Sequence, residues 1–157
     1  LDRPLDDVIS RIEKLNEGLR RFWSEASGWA PEDAAALMTK SRLDWQVSLE
    51  RSLRHWDCDP PEDLEEGDLI LGWTNLGSLI EGTIKLFLAV HYDSYKNDIE
   101  TLKNTKAWHK TKKKLLDPDG LALDTLIDYI QKANLFPTEE IDLLQTGPVA
   151  PQCDPRV

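Results

Sequence analysis

The stretch DLILGWTNLGSLIEGTIKLFLAVHYDSY, Asp68 to Tyr95, decides the fold. Trp73, Leu76, Ile80, Ile84, Phe87 and His91 share one helical face, and Leu79, Leu86 and Val90 share a second. A helix that is apolar on most sides belongs at the centre of a domain, covered by other helices. Asn75, Glu81 and Lys85 interrupt it and polar segments flank it, so it does not read as a membrane span. Gly72, Gly77 and Gly82 lower its helix propensity, which is tolerable where neighbouring helices approach closely.

Upstream, Leu5 to Trp23 reads as a first helix, with Val8, Ile12, Leu15, Leu19 and Phe22 on one stripe and Gly28 as a stop. A second helix is predicted from Pro31 to Trp56. Proline suits a first turn, and Glu32 and Asp33 suit the positive end of the helix dipole. Met38, Trp45, Leu49, Leu53 and Trp56 form its apolar face. Asp57 to Gly67 reads as an acidic loop that Pro60-Pro61 keeps from continuing the helix.

Downstream, Asp98 to Lys114 is polar, and Asp117-Pro118-Asp119-Gly120 signals a turn. A fourth helix follows from Leu121 to Ala133, with Leu123, Leu126, Ile127 and Ile130 inward. A short fifth opens at Pro137-Thr138 and ends at Thr146. No β-alternation and no internal repeat is visible. The expected fold is all-α: an antiparallel bundle of four to five helices around a central apolar helix at 68–95. One domain is expected over 1–146, with an irregular tail at 147–157.

The composition is compatible with that fold. Of 157 residues, 40% are hydrophobic, enough for a core, and 31% are charged, too many for a membrane protein. The net charge of −10 disfavours general coating of nucleic acid. That charge is uneven. Seven acids fall between Asp57 and Asp68, and six lysines between Lys103 and Lys114. The lysine run is either a solvated loop or a local phosphate or partner contact, for which Lys110, Lys112, Lys113 and Lys114 are the candidates. Cys58 and Cys153 form no disulfide framework, and Leu1 to Asp7 is polar, so a reducing, cytoplasmic setting without a secretory leader is expected.

No constellation predicts a metal or a cofactor. His55, His91 and His109 are isolated, and no GxGxxG, P-loop or GxSxG pattern occurs. His91 reads as a packed core or boundary residue, and Asp124 and Asp128 as the solvated face of their helix. The interior polar feature is the seam Asn75, Ser78, Gly82 and Lys85, with Glu81 beside it. Glu81 and Lys85, one turn apart, are either an ion pair where the helix meets water or residues lining a catalytic cleft.

The order LGSLIEGTIKLFLAVHY (Leu76–Tyr92), lysine-rich segment, LLDPDGLALDTLIDYI (Leu115–Ile130), LFPTEEIDLLQT (Leu135–Thr146) resembles bacterial HEPN-type helical proteins. The resemblance spans Leu69 to Thr146. It implies a relative of metal-independent ribonucleases of defence or toxin–antitoxin systems, with RNA, an antitoxin or other protein, and a second copy as partners. In that family a further helix carries R-x(4–6)-H, whose Arg holds the phosphate and whose His moves a proton. This chain lacks that motif and ends GPVAPQCDPRV, which implies an inactive form. The alternative is a non-enzymatic adaptor whose apolar face receives a partner helix.

The tail has a mechanical reading. Pro151 to Val157 back-translates, with wobble bases chosen freely, to CCG CAA TGC GAT CCA CGC GTT. Read one nucleotide later it gives Arg-Asn-Ala-Ile-His-Ala, with a further Arg ahead if Ala150 is GCG. The expectation is a frame-shifted or truncated catalytic helix; its rival is a native irregular C-terminus.

Overall fold

The computed structural model describes residues 5–25, 28, 31–40, 43–56 and 64–146. The acidic run at 57–63, both cysteines and the tail at 147–157 lie outside the described residues. Within them the chain is all-α, with one two-stranded ribbon. It divides into two compact units, one of residues 1–97 and 118–120, the other of residues 98–117 and 121–157.

The first unit holds α1 (Leu5–Glu25), α2 (Glu32–Lys40), α3 (Leu43–Ser52), α4 (Glu65–Val90) and α5 (Tyr92–Asn97). These pack as a layer: α1 against α3, α3 against α4, and α4 against α2. The expected helix over Pro31–Trp56 is therefore two helices with different neighbours, and its last four residues, Leu53–Trp56, tighten into a 3-10 turn. The Pro118–Gly120 turn also belongs here, where Asp119 meets Lys40 at 3.1 Å. Lys96 joins α5 to α2 through Asp33 at 3.5 Å.

The central helix starts three residues earlier than expected, because Glu65, Glu66 and Asp68 occupy a first turn where the dipole favours acids. It ends at Val90. The His91 N–H still bonds the Phe87 carbonyl (3.1 Å), but His91 has left helical geometry, at φ −99° and ψ 30°. His91 is thus an exposed cap with its ring 4.7 Å from that of Phe87, not a core residue. Among the described residues, no helix is long and apolar enough to cross a membrane.

The first unit also turns two helices differently from their apolar stripes. In α1 the buried residues are Ile9 and Asn16, while Leu5, Val8, Leu15 and Phe22 are exposed. In α3 the side toward its neighbours carries Gln46, Val47 and Glu50, and Trp45 is 59% exposed. One residue is 100° of helix, so α3 is rotated by about one position from its expected face.

The second unit holds α6 (Ile99–Lys103), a hairpin of β1 (Trp108–His109) and β2 (Lys114–Leu115), α7 (Leu123–Lys132) and α8 (Thr138–Thr146). Asp98 caps α6 by accepting from the Thr101 N–H at 3.3 Å. The helix α7 buries Leu126, Ile127, Tyr129 and Ile130. It stops at Asn134, whose φ of 53° suits Asn better than most residues, with the Leu135 N–H closing on the Ile130 carbonyl at 3.1 Å. The hairpin was not legible as strand because two-residue strands are too short to alternate.

Candidate functional site

The hairpin sorts the lysine run. Trp108 pairs with Leu115 and His109 with Lys114, so the loop between them is Lys110 to Lys113. Lys113 takes a left-handed φ of 48° to close it. The Lys112 N–H donates to His109 Nδ1 at 3.3 Å, and the Leu116 N–H to the Ala107 carbonyl at 2.8 Å. Lys110, Lys112, Lys113 and Lys114 are all exposed at this tip, and none forms an ion pair among the described residues.

The other lysines of this unit are committed elsewhere. Lys103 lies over the Trp108 ring, 5.7 Å from its centroid. Lys106 meets Asp124 at 3.0 Å and holds that carboxyl below its usual range. Lys132 meets Asp128 at 2.8 Å and donates to the Asn104 carbonyl at 2.8 Å. Asp124 and Asp128 are thus surface ion-pair partners. The chemistry left at the hairpin tip is four point charges on flexible stems, an arrangement suited to phosphate oxygens.

The polar seam on α4 separates into three parts. Asn75 is buried, and its amide is oriented so that the oxygen accepts from Ser52 Oγ (2.6 Å) and Trp56 Nε1 (3.2 Å) while the nitrogen donates to the Leu49 carbonyl (3.2 Å). Ser78 bonds back to the Thr74 carbonyl at 2.8 Å. Glu81 and Lys85 pair at 2.6 Å, half-buried, on one side of α4. They bind each other, and among the described residues neither forms an ion pair with a histidine or a third charge. Asn75 is therefore a structural anchor for the 3-10 turn, whose Trp56 ring packs beside Gly72 at a distance that a Cβ there would meet in ordinary contact.

Sequence reasoning missed a buried polar cluster between α1 and α3. Glu50 is fully buried and accepts from Asn16 Nδ2 at 2.5 Å. Its second oxygen, Oε1, has no partner, and neither has Oε1 of Gln46, one turn earlier on the same helix. Burial raises the Glu50 carboxyl above its ordinary value, the Asn16 bond opposes that, and Glu13 and Glu17 add to it. Those two acids are held at the surface: Arg54 bonds Glu13 (2.9 Å) and reaches Asp6, while Arg20 bonds Glu17.

Gln46 in turn lies flat on α4. A Cβ at Gly82 would fall 1.4 Å from Gln46 Nε2. The glycine in the seam is thus the seat of a glutamine amide. Gln46 and Glu50 stand one turn apart on α3, and each has one buried oxygen without a partner. Being closed to solvent, the cluster is built to hold the helices and not to meet a substrate. Its sequence signal was slight: a Gln and a Glu four apart on a helix otherwise read from its aromatic residues.

Among the described residues no three of His, Cys, Asp and Glu come together as metal ligands. No protein-family model matches the chain, and no curated protein and no solved structure matches it.

Proposed function

We propose that the chain is a HEPN-type helical protein related to the RNA-cleaving and RNA-binding members of that class, and that in the form written here it holds RNA without cleaving it. The observation that supports RNA contact is the hairpin tip, where Lys110, Lys112, Lys113 and Lys114 are all exposed. The resemblance of Leu76–Tyr92, Leu115–Ile130 and Leu135–Thr146 supplies the substrate class; those stretches correspond to α4, the hairpin strand through α7, and α8. Residues 1–157 contain no R-x(4–6)-H, so the proposal for this stretch is RNA contact and not cleavage. A second copy and an antitoxin-type protein are the partners this reading carries with it.

Filter binding of single-stranded RNA across a salt series tests the contact. Four phosphate contacts give a log–log salt slope of roughly −3. Replacing all four lysines by alanine is expected to remove most of the affinity. Binding that survives the replacement unchanged, or no RNA binding at all, rejects the hairpin as the RNA contact. The family assignment has its own test in the coding DNA beyond Thr146. If the adjacent frame encodes an Arg–His helix, the frame-restored protein is expected to degrade RNA and to lose that activity when the restored His is replaced.

The adaptor is the second reading, favoured by the apolar residues left uncovered on the first turns of α4, among them Ile70 at 64% exposure. A restored protein that neither binds nor cuts RNA decides for it.

A further inference from the structure

The helix α1 is held on the first unit by few groups. Of its 21 residues only Ile9 and Asn16 are buried, against seven of 26 in α4. It packs mainly on α3 and on the 3-10 turn Leu53–Trp56. An element with so few buried side chains opens at lower free energy than the unit it belongs to. The bonds that hold it are polar. At the surface, Arg54 reaches Asp6, bonds Glu13 at 2.9 Å and donates to Ser10 Oγ at 3.2 Å. In the interior, Asn16 donates to Glu50 Oε2 at 2.5 Å.

Glu50 is fully buried at that contact, and among the described residues its Oε1 has no partner. Asn16 and Glu17 follow Glu13 by three and four residues, so the three share one face of α1. From that face Glu13 and Glu17 repel a charged Glu50, and Arg51 of α3 attracts it. α4 meets α3 through Gly82 at Gln46 and adds no charge to those acting on Glu50. Arg54, in the 3-10 turn, bonds the acids of α1 instead. A protonated Glu50 is neutral and accepts from Asn16 at little cost, whereas its anion is desolvated and short of hydrogen bonds. Lifting α1 removes both repelling acids and admits water to the carboxylate.

We propose that α1 is a pH-released helix, docked on α3 while Glu50 keeps its proton and lifted from α3 when that carboxyl ionises. Docking and ionisation are linked, because the charged form is favoured where α1 has left. Glu50 is raised in the docked state, so docking is at full strength below the ordinary carboxylate range and weakens as pH rises through the raised value. The surface clamp sets no limit in that window, because the Arg54 bond lowers the Glu13 carboxyl and keeps it charged there. The device rests on α1, α3 and the 3-10 turn alone and does not depend on the RNA-related reading.

Hydrogen exchange of the full chain tests it, read peptide by peptide in a mass spectrometer and corrected for the intrinsic pH dependence of amide exchange. The opening constant of α1 is expected to exceed that of residues 79–89 of α4 at every pH. Between about pH 5 and pH 9 it is expected to rise about tenfold. Glu50→Gln is expected to hold it level across the same range. Arg54→Ala is expected to raise it by a similar factor at both ends, leaving the pH dependence in place. An α1 opening that is flat with pH in the parent chain overturns the proposal. So does a pH dependence that survives Glu50→Gln, or one that Arg54→Ala abolishes, which puts the switch at the surface clamp. Equal opening constants for α1 and α4 overturn it as well, since the chain then opens only as a whole.

Discussion

Both units have apolar cores, and they differ in the polar groups buried beside them. In the second, Leu102, Leu126 and Ile130 are closed to solvent, and the buried Tyr129 hydroxyl donates to Asp98 at 3.3 Å. In the first, beside apolar residues such as Ile9, Leu79 and Leu88, Asn16 of α1 meets Glu50 of α3 and Gln46 of α3 lies on α4, with two side-chain oxygens unpartnered. An apolar core resists by volume, so its weak point is a missing methyl group. A buried polar cluster resists by satisfied hydrogen bonds, so its weak point is a proton or a neighbour's Cβ. The charges divide the same way: the first unit's sequence has twenty acids against eleven bases, the second nine against eight.

The largest expected effect falls on the apolar side. Leu126→Ala removes a side chain with no exposure. It is expected to cost about 2–5 kcal/mol in urea unfolding, through lost transfer energy and the cavity left behind. Ser52→Ala, at the Asn75 anchor of the first unit, removes a hydroxyl that contacts both the Asn75 amide and the Leu49 carbonyl and is expected to cost about 1–2 kcal/mol. Equal losses at the two positions would dissolve the contrast between the cores.

Gly82 sharpens the comparison from the polar side. Alanine in a helix interior ordinarily gains about 1 kcal/mol over glycine. Here the added Cβ would meet Gln46 Nε2 at 1.4 Å and Cδ at 2.4 Å, and Gln46 is buried with little room to withdraw. Gly82→Ala is therefore expected to destabilise the native chain and to stabilise a chain already carrying Gln46→Ala. The double-mutant cycle should show a coupling of roughly 0.5–3 kcal/mol. Additive effects would mean that the glutamine does not sit on the glycine.

How much of this was legible follows from what each signal measures. The long helix was legible because a run such as LFLAV has no alternative home in a small protein. The turn at Pro118–Gly120, the helix after it and the short helix from Thr138 were legible from Pro, Gly and Thr at their ends. Which face of α1 and α3 turns inward was not. Periodicity reports an apolar side and assumes that it is covered, yet Leu15 and Trp45 stay exposed while Asn16 and Glu50 are buried. The lysine run was visible as composition. Its gathering at one tip needed Lys113 in a left-handed turn, which no Gly announced. The pairing of Glu81 with Lys85 followed directly from spacing.

Glu50 gives the buried polar cluster a pH dependence. Its carboxyl is raised in the folded chain, so its contribution is fully present below the ordinary carboxylate range and is lost as pH rises through the raised value. Glu50→Gln keeps the shape and the bond from Asn16 without a charge to bury. It is expected to leave stability near pH 4 almost unchanged and to raise it on the order of 1 kcal/mol at pH 8. Urea midpoints at the two values read the difference. A variant less stable than the parent at pH 8 would show that the carboxylate is satisfied after all.

The smallest effect belongs to the second unit and has its window at the other end of the scale. Burial, and secondarily the Asp98 carboxylate, push the Tyr129 phenol up to about 12. Its contribution is intact below the ordinary tyrosine value near 10 and is lost as pH rises toward 12. Tyr129→Phe removes one hydrogen bond to the residue that caps α6, at a cost of about 1 kcal/mol near neutrality. It also removes the titrating group, so parent and variant should converge as the solution becomes alkaline. The two acids of the two cores then answer pH in separate windows, Glu50 above the carboxylate range and Tyr129 above the phenol range. A parent chain whose stability is flat between pH 10 and 12 would show that the Tyr129 hydroxyl reaches solvent and that the second unit opens more readily than its apolar core suggests.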